Sequence, residues 1–174
     1  MKNKKMKKEK EKSAFGRKSR EKGKRGEREI AGILREHGYP EARRGVQYSG
    51  RTGAADVVGL SGWHIEVKRV EHFDLISAAA QAERDARAGE RWVVLHRPSR
   101  RPWISVLPEE TFEALAGGGG DWHTEEEKKI SKVYEALERT QHTAGGNQRP
   151  SVHIRTYTIM YLDDFLDLLK GESQ

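Results

Sequence analysis

The sequence predicts an α/β fold with a central mixed sheet flanked by helices. Four short runs with β-like composition lie at 55–60, 63–70, 91–96 and 102–107. Two amphipathic patterns with helical spacing lie at 26–37 and 75–88. A length of 174 residues suits one domain with appendages. The predicted core therefore runs helix, three strands, helix, two strands and ends near residue 116.

The N-terminal segment differs from the rest of the chain in charge. Residues 1–25 contain 13 Lys or Arg and 3 Glu, whereas the remainder contains 20 Lys or Arg and 24 Asp or Glu. We expect residues 1–22 to form a disordered basic arm that binds polyanions, with a solubilising tail as the alternative. The remainder of the chain, residues 26–174, is net negative.

The first element of the core is a helix over Gly26–His37. Ile30, Ile33 and Leu34 follow helical spacing, and Gly38 is a stop signal. Glu27 and Glu29 both lie in its first turn, where carboxylates favour the helix dipole. A short strand is expected around 41–44, and a Gly-rich polar loop over 45–53.

Residues 55–60 and 63–70 predict a hairpin whose register depends on its loop. Glu66 and Lys68 share one face of their strand, because side chains alternate between the two faces. A three-residue loop, Leu60–Gly62, would pair Asp56 with Glu66, and glycine is favoured at the third position of such loops. A two-residue loop would instead pair Asp56 with Val67, on the wrong face.

The later elements follow from similar signals. Asp74 is a candidate cap for the 75–88 helix, and a basic turn, 97–101, joins the last two core strands. After a flexible break at 117–120, residues 123–140 predict a surface helix with one apolar face: Ile130, Val133, Tyr134 and Leu137. A strand and a short helix end the chain. We expect residues 117–174 to be an extension packed on the core of 23–116.

Composition excludes several classes of protein. No cysteine is present, so neither disulfides nor thiolate metal sites are available. No apolar run reaches the roughly 20 residues needed to span a bilayer, and no apolar segment follows the basic N-terminus as in a secretory signal. A cytoplasmic protein without membrane contact is the expectation.

The acids of the hairpin and the first helix indicate metal chemistry on phosphodiesters. Asp56 and Glu66, completed by Glu27 from the helix, would hold one or two Mg²⁺ or Mn²⁺, which prefer oxygen ligands. Such a metal activates water and stabilises charge on phosphate. Lys68 would orient the attacking water or neutralise the transition state. His64, two residues before Glu66, is expected to be structural.

These residues resemble the PD-(D/E)XK nuclease superfamily, and most closely the archaeal and phage Holliday junction resolvases. The resemblance covers residues 23 to about 107. It is carried by Gly23–Glu29 (GKRGERE), one arginine at the end of the first strand, Arg43 or Arg44, Ser49 in its loop, Asp56-Val57-Val58 and Ile65-Glu66-Val67-Lys68. Ala55 stands where the superfamily name has proline. Residues 117–155 have no counterpart.

The resemblance implies a restriction-endonuclease-like core and a homodimer that makes paired nicks in four-way DNA junctions. It implies a catalytic set of Glu27, Asp56, Glu66 and Lys68, and a metal set of Asp56, Glu66, Val67 and Glu27. The expected DNA contacts are Lys24, Arg25, Arg43, Arg44, Ser49, Arg51 and Gln81. Glu29 remains an alternative to Glu27. Another DNA nuclease of this fold, a non-catalytic DNA-binding module and a protein-interaction module through residues 121–170 remain alternatives.

Overall fold

A computed structural model describes residues 2–45, 54–117, 123–124, 133–135, 137, 151–154 and 156–172. The protein has an α/β fold in which helices flank a mixed sheet. The helices are α1 (Lys2–Glu36), α2 (Leu75–Asp85), α3 (Glu109–Ala116) and α4 (Leu162–Glu172). The strands are β1 (Arg43–Arg44), β2 (Val57–Val58), β3 (Trp63–Lys68), β4 (Arg91–His96), β5 (Ile104–Pro108), β6 (His123–Thr124), β7 (Ser151–Ile154) and β8 (Tyr157–Tyr161).

Within the described residues, the eight strands form one sheet in the order β1-β2-β3-β4-β5-β8-β7-β6. The pairs β3–β4 and β6–β7 are parallel, and the other neighbouring pairs are antiparallel. The predicted order of elements up to residue 108 is confirmed. Asp74 caps α2 as predicted, because its side chain accepts a hydrogen bond from the Ser77 N–H at 3.0 Å.

The two faces of the sheet bury different helices. One hydrophobic cluster combines α1, α4 and the alternate β3 residues Trp63, Ile65 and Val67. The other combines α2 with residues of β4, β5 and β8. Because side chains alternate along β3, its even-numbered residues face α2. Trp63, Trp92 and Trp103 are all buried.

The structure differs from the prediction at the N-terminus. Helix α1 is continuous from Lys2 to Glu36, whereas the sequence predicted a disordered arm over 1–22 and a helix starting at Gly26. Residues 2–22 are rich in lysine and glutamate and contain no proline, a composition compatible with helix. Gly38 has the predicted left-handed backbone after the helix, with φ of 98°.

The sheet also continues past residue 116, where the sequence predicted the core to end. The last segment forms two strands rather than the one predicted, and β8 pairs with β5 over its full length. Helix α4 then buries Phe165 and Leu166 in the cluster shared with α1. The C-terminal segment is therefore part of the sheet, not only an extension lying on it.

The predicted apolar face within 123–140 is buried where the structure describes it. Val133, Tyr134 and Leu137 are helical and each is 2% exposed or less. The Tyr134 hydroxyl donates to the Pro102 carbonyl at 3.0 Å. Ile130 lies outside the described residues. These side chains cover the same face of the sheet as α2.

Glu29 fastens α1 to the sheet. Its carboxylate accepts hydrogen bonds from the Arg69 guanidinium at 3.0 Å, from the Trp103 indole N–H at 3.0 Å and from the Arg97 guanidinium. These three partners come from the end of β3 and from the two sides of the β4–β5 turn. Charge-assisted hydrogen bonds of this kind are stronger than neutral ones. We call this group the Glu29 cluster.

Among the described residues, no helix is both long enough and apolar enough to cross a membrane.

Replacement of Glu29 by glutamine should destabilise the fold. The variant keeps the size of the side chain but leaves Arg69 and Arg97 without a carboxylate, so the free energy of unfolding should fall by about 1–3 kcal/mol. Urea denaturation measures the change. Glu36→Gln, an exposed position at the end of the same helix, is the matched control. Equal urea midpoints for the two variants would contradict the importance of the Glu29 cluster.

His96 should make the fold sensitive to mild acid. Its ring is fully buried, stacks on Phe73 at 4.0 Å and lies 3.1 Å from the Val70 carbonyl oxygen. Burial lowers its pKa from 6.5 to about 4. Between these values the unfolded chain binds a proton that the folded protein does not. The stabilisation is complete above pH 6.5 and is lost as the pH falls towards 4, by up to about 3 kcal/mol.

Urea denaturation of wild-type protein and His96→Gln at pH 7 and pH 4.5 tests this expectation. Other groups titrate in both proteins, so the difference between the two pH responses isolates His96. The wild-type protein should lose about 2 kcal/mol more than the variant on acidification. Parallel losses in the two proteins would be inconsistent with a buried neutral His96.

Candidate active site

The β2–β3 hairpin has the register that the sequence predicted. Val57 lies opposite Ile65, which places Asp56 level with Glu66 and leaves Leu60–Gly62 as a three-residue loop. Gly62 has φ of 76°, the left-handed conformation favoured at the third position of such a loop. The Asp56 side chain also accepts a hydrogen bond from the Val67 N–H at 2.9 Å. Asp56 is thereby held at the strand that carries Glu66 and Lys68.

Glu66, Lys68 and Gln81 form a closed group of hydrogen bonds. The Lys68 ammonium donates to Glu66 Oε1 at 2.6 Å and to Gln81 Oε1 at 3.0 Å. Gln81 Nε2 donates to the same Glu66 oxygen at 2.9 Å. Glu66 is 6% exposed, and Lys68 remains partly exposed. Helix α2 therefore holds both the acid and the lysine of the predicted motif in one orientation.

Of the two candidate acids Glu27 and Glu29, Glu27 is the one that lies near Asp56. Its charge contributes to the pKa of Asp56, and its carboxylate forms an ion pair with Arg44 of β1. Glu29, the alternative considered from sequence, is engaged in the Glu29 cluster. The preference for Glu27 is thus supported by the position of both side chains.

Asp56 is electrostatically unfavourable as an anion. Burial raises its pKa most, the neighbouring Glu66 carboxylate raises it further, and together these effects bring it to about 7. The Val67 N–H opposes the change, and Glu27 adds a smaller increase. A cation bound beside Asp56 would lower this pKa, because an opposite charge favours the ionised form of a carboxyl group.

The donor set suits a hard divalent cation, which prefers carboxylate and carbonyl oxygen. Asp56 and Glu66 share a face of the hairpin, and Glu27 is close enough to affect Asp56. However, Glu27 is paired with Arg44, and Glu66 with Lys68. Within the described ranges, no three His, Asp or Glu side chains are grouped so that they could hold a metal ion. Asp56 and Glu66 are the residues whose chemistry fits.

The predicted DNA contacts are distributed unevenly around this site. Gln81 reaches it, and Arg44 contacts Glu27 rather than lying free for a phosphate. Arg43 is exposed, with a hydrogen bond of 3.4 Å to the Glu41 carbonyl. Arg25 is exposed, and Lys24 pairs with Glu21 at 3.4 Å. Ser49 and Arg51 lie outside the described residues.

Two features of the site were not predicted. Arg44 as the partner of Glu27 has no sequence signal, since 17 residues separate the two. His64 is 2% exposed on the same strand face as Glu66, and its Nε2 has no hydrogen-bond partner in the described part of the chain. The spacing of His64, two residues before Glu66, was the sequence signal that the two side chains share a face, because alternate strand residues do so.

The Asp56→Asn variant should be more stable than the wild-type protein at pH 8 without divalent metal. Asparagine retains an acceptor for the Val67 N–H but removes a buried carboxylate that lies beside Glu66. The free energy of unfolding should rise by about 1–3 kcal/mol. The gain should disappear near pH 4, because the carboxyl of Asp56 is then protonated in the folded protein.

Denaturant titrations in the presence of EDTA at both pH values measure this effect. Asp163→Asn is the matched control, since Asp163 is exposed on α4. A loss of stability in Asp56→Asn at pH 8 would argue against an unfavourable buried carboxylate at this position.

Comparisons of this chain with protein-family models, with curated proteins and with solved structures give no match. The interpretation of the site accordingly depends on its own geometry and chemistry.

Proposed function

We propose that this protein is a metal-dependent endonuclease that hydrolyses DNA phosphodiesters. The observation that carries the proposal is the hairpin itself. Asp56 and Glu66 lie level with one another on one face, and Lys68 is hydrogen-bonded beside them. Two carboxylates can hold a divalent cation, and a lysine beside them can reach the phosphate that the cation contacts. This combination suits metal-assisted cleavage of a phosphate ester.

The order of elements around the site supports a restriction-endonuclease-like core. A helix bearing Glu27 precedes an antiparallel hairpin bearing Asp56, Glu66 and Lys68. Helix α2 then leads to β4, which pairs parallel with β3. This arrangement agrees with the resemblance of the sequence to PD-(D/E)XK nucleases.

Each side chain has a defined task in this proposal. Asp56 and Glu66, with the Val67 main-chain carbonyl, would hold Mg²⁺ or Mn²⁺, and Glu27 would complete the set on release from Arg44. When bound, the cation would acidify a water molecule and stabilise negative charge on the phosphate. Lys68 donates hydrogen bonds and positive charge towards the phosphate, since its ammonium is held at the site edge by Glu66 and Gln81. Gln81 is a positioning residue, because it contacts both.

The substrate we propose is a four-way DNA junction, cut by a homodimer. This part of the proposal rests on the sequence pattern from Gly23 to Lys68. A two-fold symmetric dimer presents two identical sites, which suits paired nicks on opposed strands of a symmetric junction. A repair, recombination or restriction-like nuclease on linear or flapped DNA is the nearest alternative in substrate.

One observation favours a second candidate, a non-catalytic DNA-binding module. The acids of the site are already paired with basic side chains, Glu27 with Arg44 and Glu66 with Lys68. Ion pairs of this kind would also suit a site that has no metal. Cleavage of any DNA in the presence of Mg²⁺ distinguishes the two candidates.

Cleavage of labelled four-way junction, flap and linear duplex with Mg²⁺ tests the proposal. Wild-type protein should nick the junction in symmetric pairs. Asp56→Asn and Lys68→Ala should each cut at least about 100-fold more slowly, as when one group that stabilises a transition state is removed. Both variants should still bind the junction. Asp163→Asn changes the same charge on α4 and should cut at the wild-type rate.

Each outcome has a distinct meaning. Equal cutting of linear duplex and junction would exclude a resolvase but leave a nuclease. DNA binding without Mg²⁺-dependent cleavage would support the non-catalytic module instead. Full activity in Asp56→Asn would refute the assignment of this hairpin as the active site.

A further inference from the structure

The turn between β4 and β5 is a basic surface feature outside the candidate active site. Residues 97–101 read Arg-Pro-Ser-Arg-Arg. Arg97 is engaged, because it binds Glu29 and the Arg101 carbonyl oxygen at 2.8 Å. Arg100 is exposed, and the Arg101 guanidinium, also exposed, lies over the Tyr134 ring at 5.6 Å from its centroid. We call residues 97–101 the arginine turn.

The arginine turn is joined to α1. The Lys22 ammonium lies 3.4 Å from the Ser99 hydroxyl and forms an ion pair with Glu71. The Ser99 N–H in turn donates to Glu71 Oε2 at 3.1 Å. The contact Lys22–Ser99 and the Glu29 cluster hold the turn against two successive stretches of α1. The turn and the helix therefore form one continuous surface.

The outward side of α1 beside this turn is also basic. At 3.6 residues per turn, Arg17, Lys24 and Arg28 lie on one side of the helix, opposite Gly26 and Ile30, which face the sheet. Arg17 and Arg28 are exposed. Glu21 interrupts this row and pairs with Lys24. We call this side the outer face of α1.

Two acids beside the turn have basic partners within the fold. Glu71 is paired with Lys22, and hydrogen bonds from Lys22 and Ser99 lower its pKa to about 2. Glu29 is paired with Arg69 and Arg97. Both acids are thus paired, and Arg100 on the turn and Arg17 and Arg28 on the helix are exposed and add positive charge to the surface.

The arginine turn and the candidate catalytic acid Glu27 lie on different sides of α1. Glu27 leaves α1 towards Arg44, whereas Lys22 and Glu29 leave it towards the turn. The outer face of α1 lies between these two sides. A helix with its side chains is about 10–12 Å wide. Duplex DNA carries a phosphate on each strand about every 3.4 Å along its axis. A duplex arm that lies across α1 could therefore contact the outer face of α1 and the arginine turn together.

The backbone of Arg100 is also unusual. Its φ is 61°, in the left-handed region that favours glycine, and no other non-glycine residue in the described chain has positive φ. Arginine is disfavoured there by its Cβ. A charged side chain in a position suited to glycine points to a use for the side chain itself.

We propose that the arginine turn and the outer face of α1 form a second DNA-binding surface, which grips the phosphate backbone of a duplex arm away from the scissile phosphate. The inference rests on the proposed function in one respect, that the substrate is DNA. Its contacts are with phosphate, so they position the duplex without reading its sequence.

Equilibrium binding of full-length protein to a fluorescent four-way junction, followed by anisotropy across a salt series, tests the proposal. The variant is Arg100→Gly with Arg28→Gln, which removes one exposed arginine from the turn and one from the outer face of α1. Glycine suits the backbone at residue 100, so charge is removed while the turn is kept. Affinity should fall about tenfold near 100 mM salt, and the slope of log K against log salt should become shallower by about two. Arg100→Lys with Arg28→Lys should retain most of the binding.

The matched control is Arg87→Gln with Lys170→Gln. It removes the same charge from two exposed positions, one after α2 and one on α4, that belong to neither the arginine turn nor the outer face of α1. Thermal unfolding of each variant checks that the fold is intact. Binding by the wild-type protein with equal loss in the test and control variants would overturn the second surface. Failure of the wild-type protein to bind DNA would instead overturn the proposed function.

Discussion

The register of the β2–β3 hairpin is the constraint on which the site depends. A shift of one residue would move Asp56 from the face of Glu66 to the opposite face, because side chains alternate along a strand. The left-handed backbone of Gly62 sets the three-residue loop that prevents the shift. Gly59 contributes at the other end of the loop, since a Cβ there would lie 2.3 Å from the Glu41 carbonyl oxygen. Backbone geometry at these glycines therefore determines which side chains can act together.

Helix α1 uses two neighbouring acids for different purposes. Residues two apart on a helix point in directions about 200° apart, so Glu27 and Glu29 reach opposite sides of α1. Glu29 binds Arg69, Arg97 and Trp103 and holds the helix on the sheet. Glu27 is consequently presented to Arg44 and to the neighbourhood of Asp56. The contacts of Glu29 that hold the helix on the sheet therefore also position Glu27, the candidate catalytic acid, on the other side.

The candidate active site is acidic, whereas the surface beside the arginine turn carries exposed basic side chains. Asp56 lies in a buried, negatively charged environment that raises its pKa to about 7. Glu71 and Glu29, beside the arginine turn, are instead paired with lysine and arginine, and Arg28 and Arg100 are exposed on that side of the protein. A protein with a net charge of +10 in its first 25 residues and −4 in the remainder can therefore combine the proposed acidic centre for a cation with the proposed basic surface for phosphate.

Local sequence patterns determined much of this protein. Alternation in β3 placed Glu66 and Lys68 together, Gly62 indicated the loop length, and Asp74 indicated the start of α2. These signals act over a few residues, where backbone geometry alone decides the outcome. Tertiary structure decided the rest. The partners of Glu29 are 40, 68 and 74 residues away, and β8 joins the sheet beside β5 after an intervening segment. Which arginine meets which glutamate depends on how the whole sheet folds, because no local period relates residues so far apart.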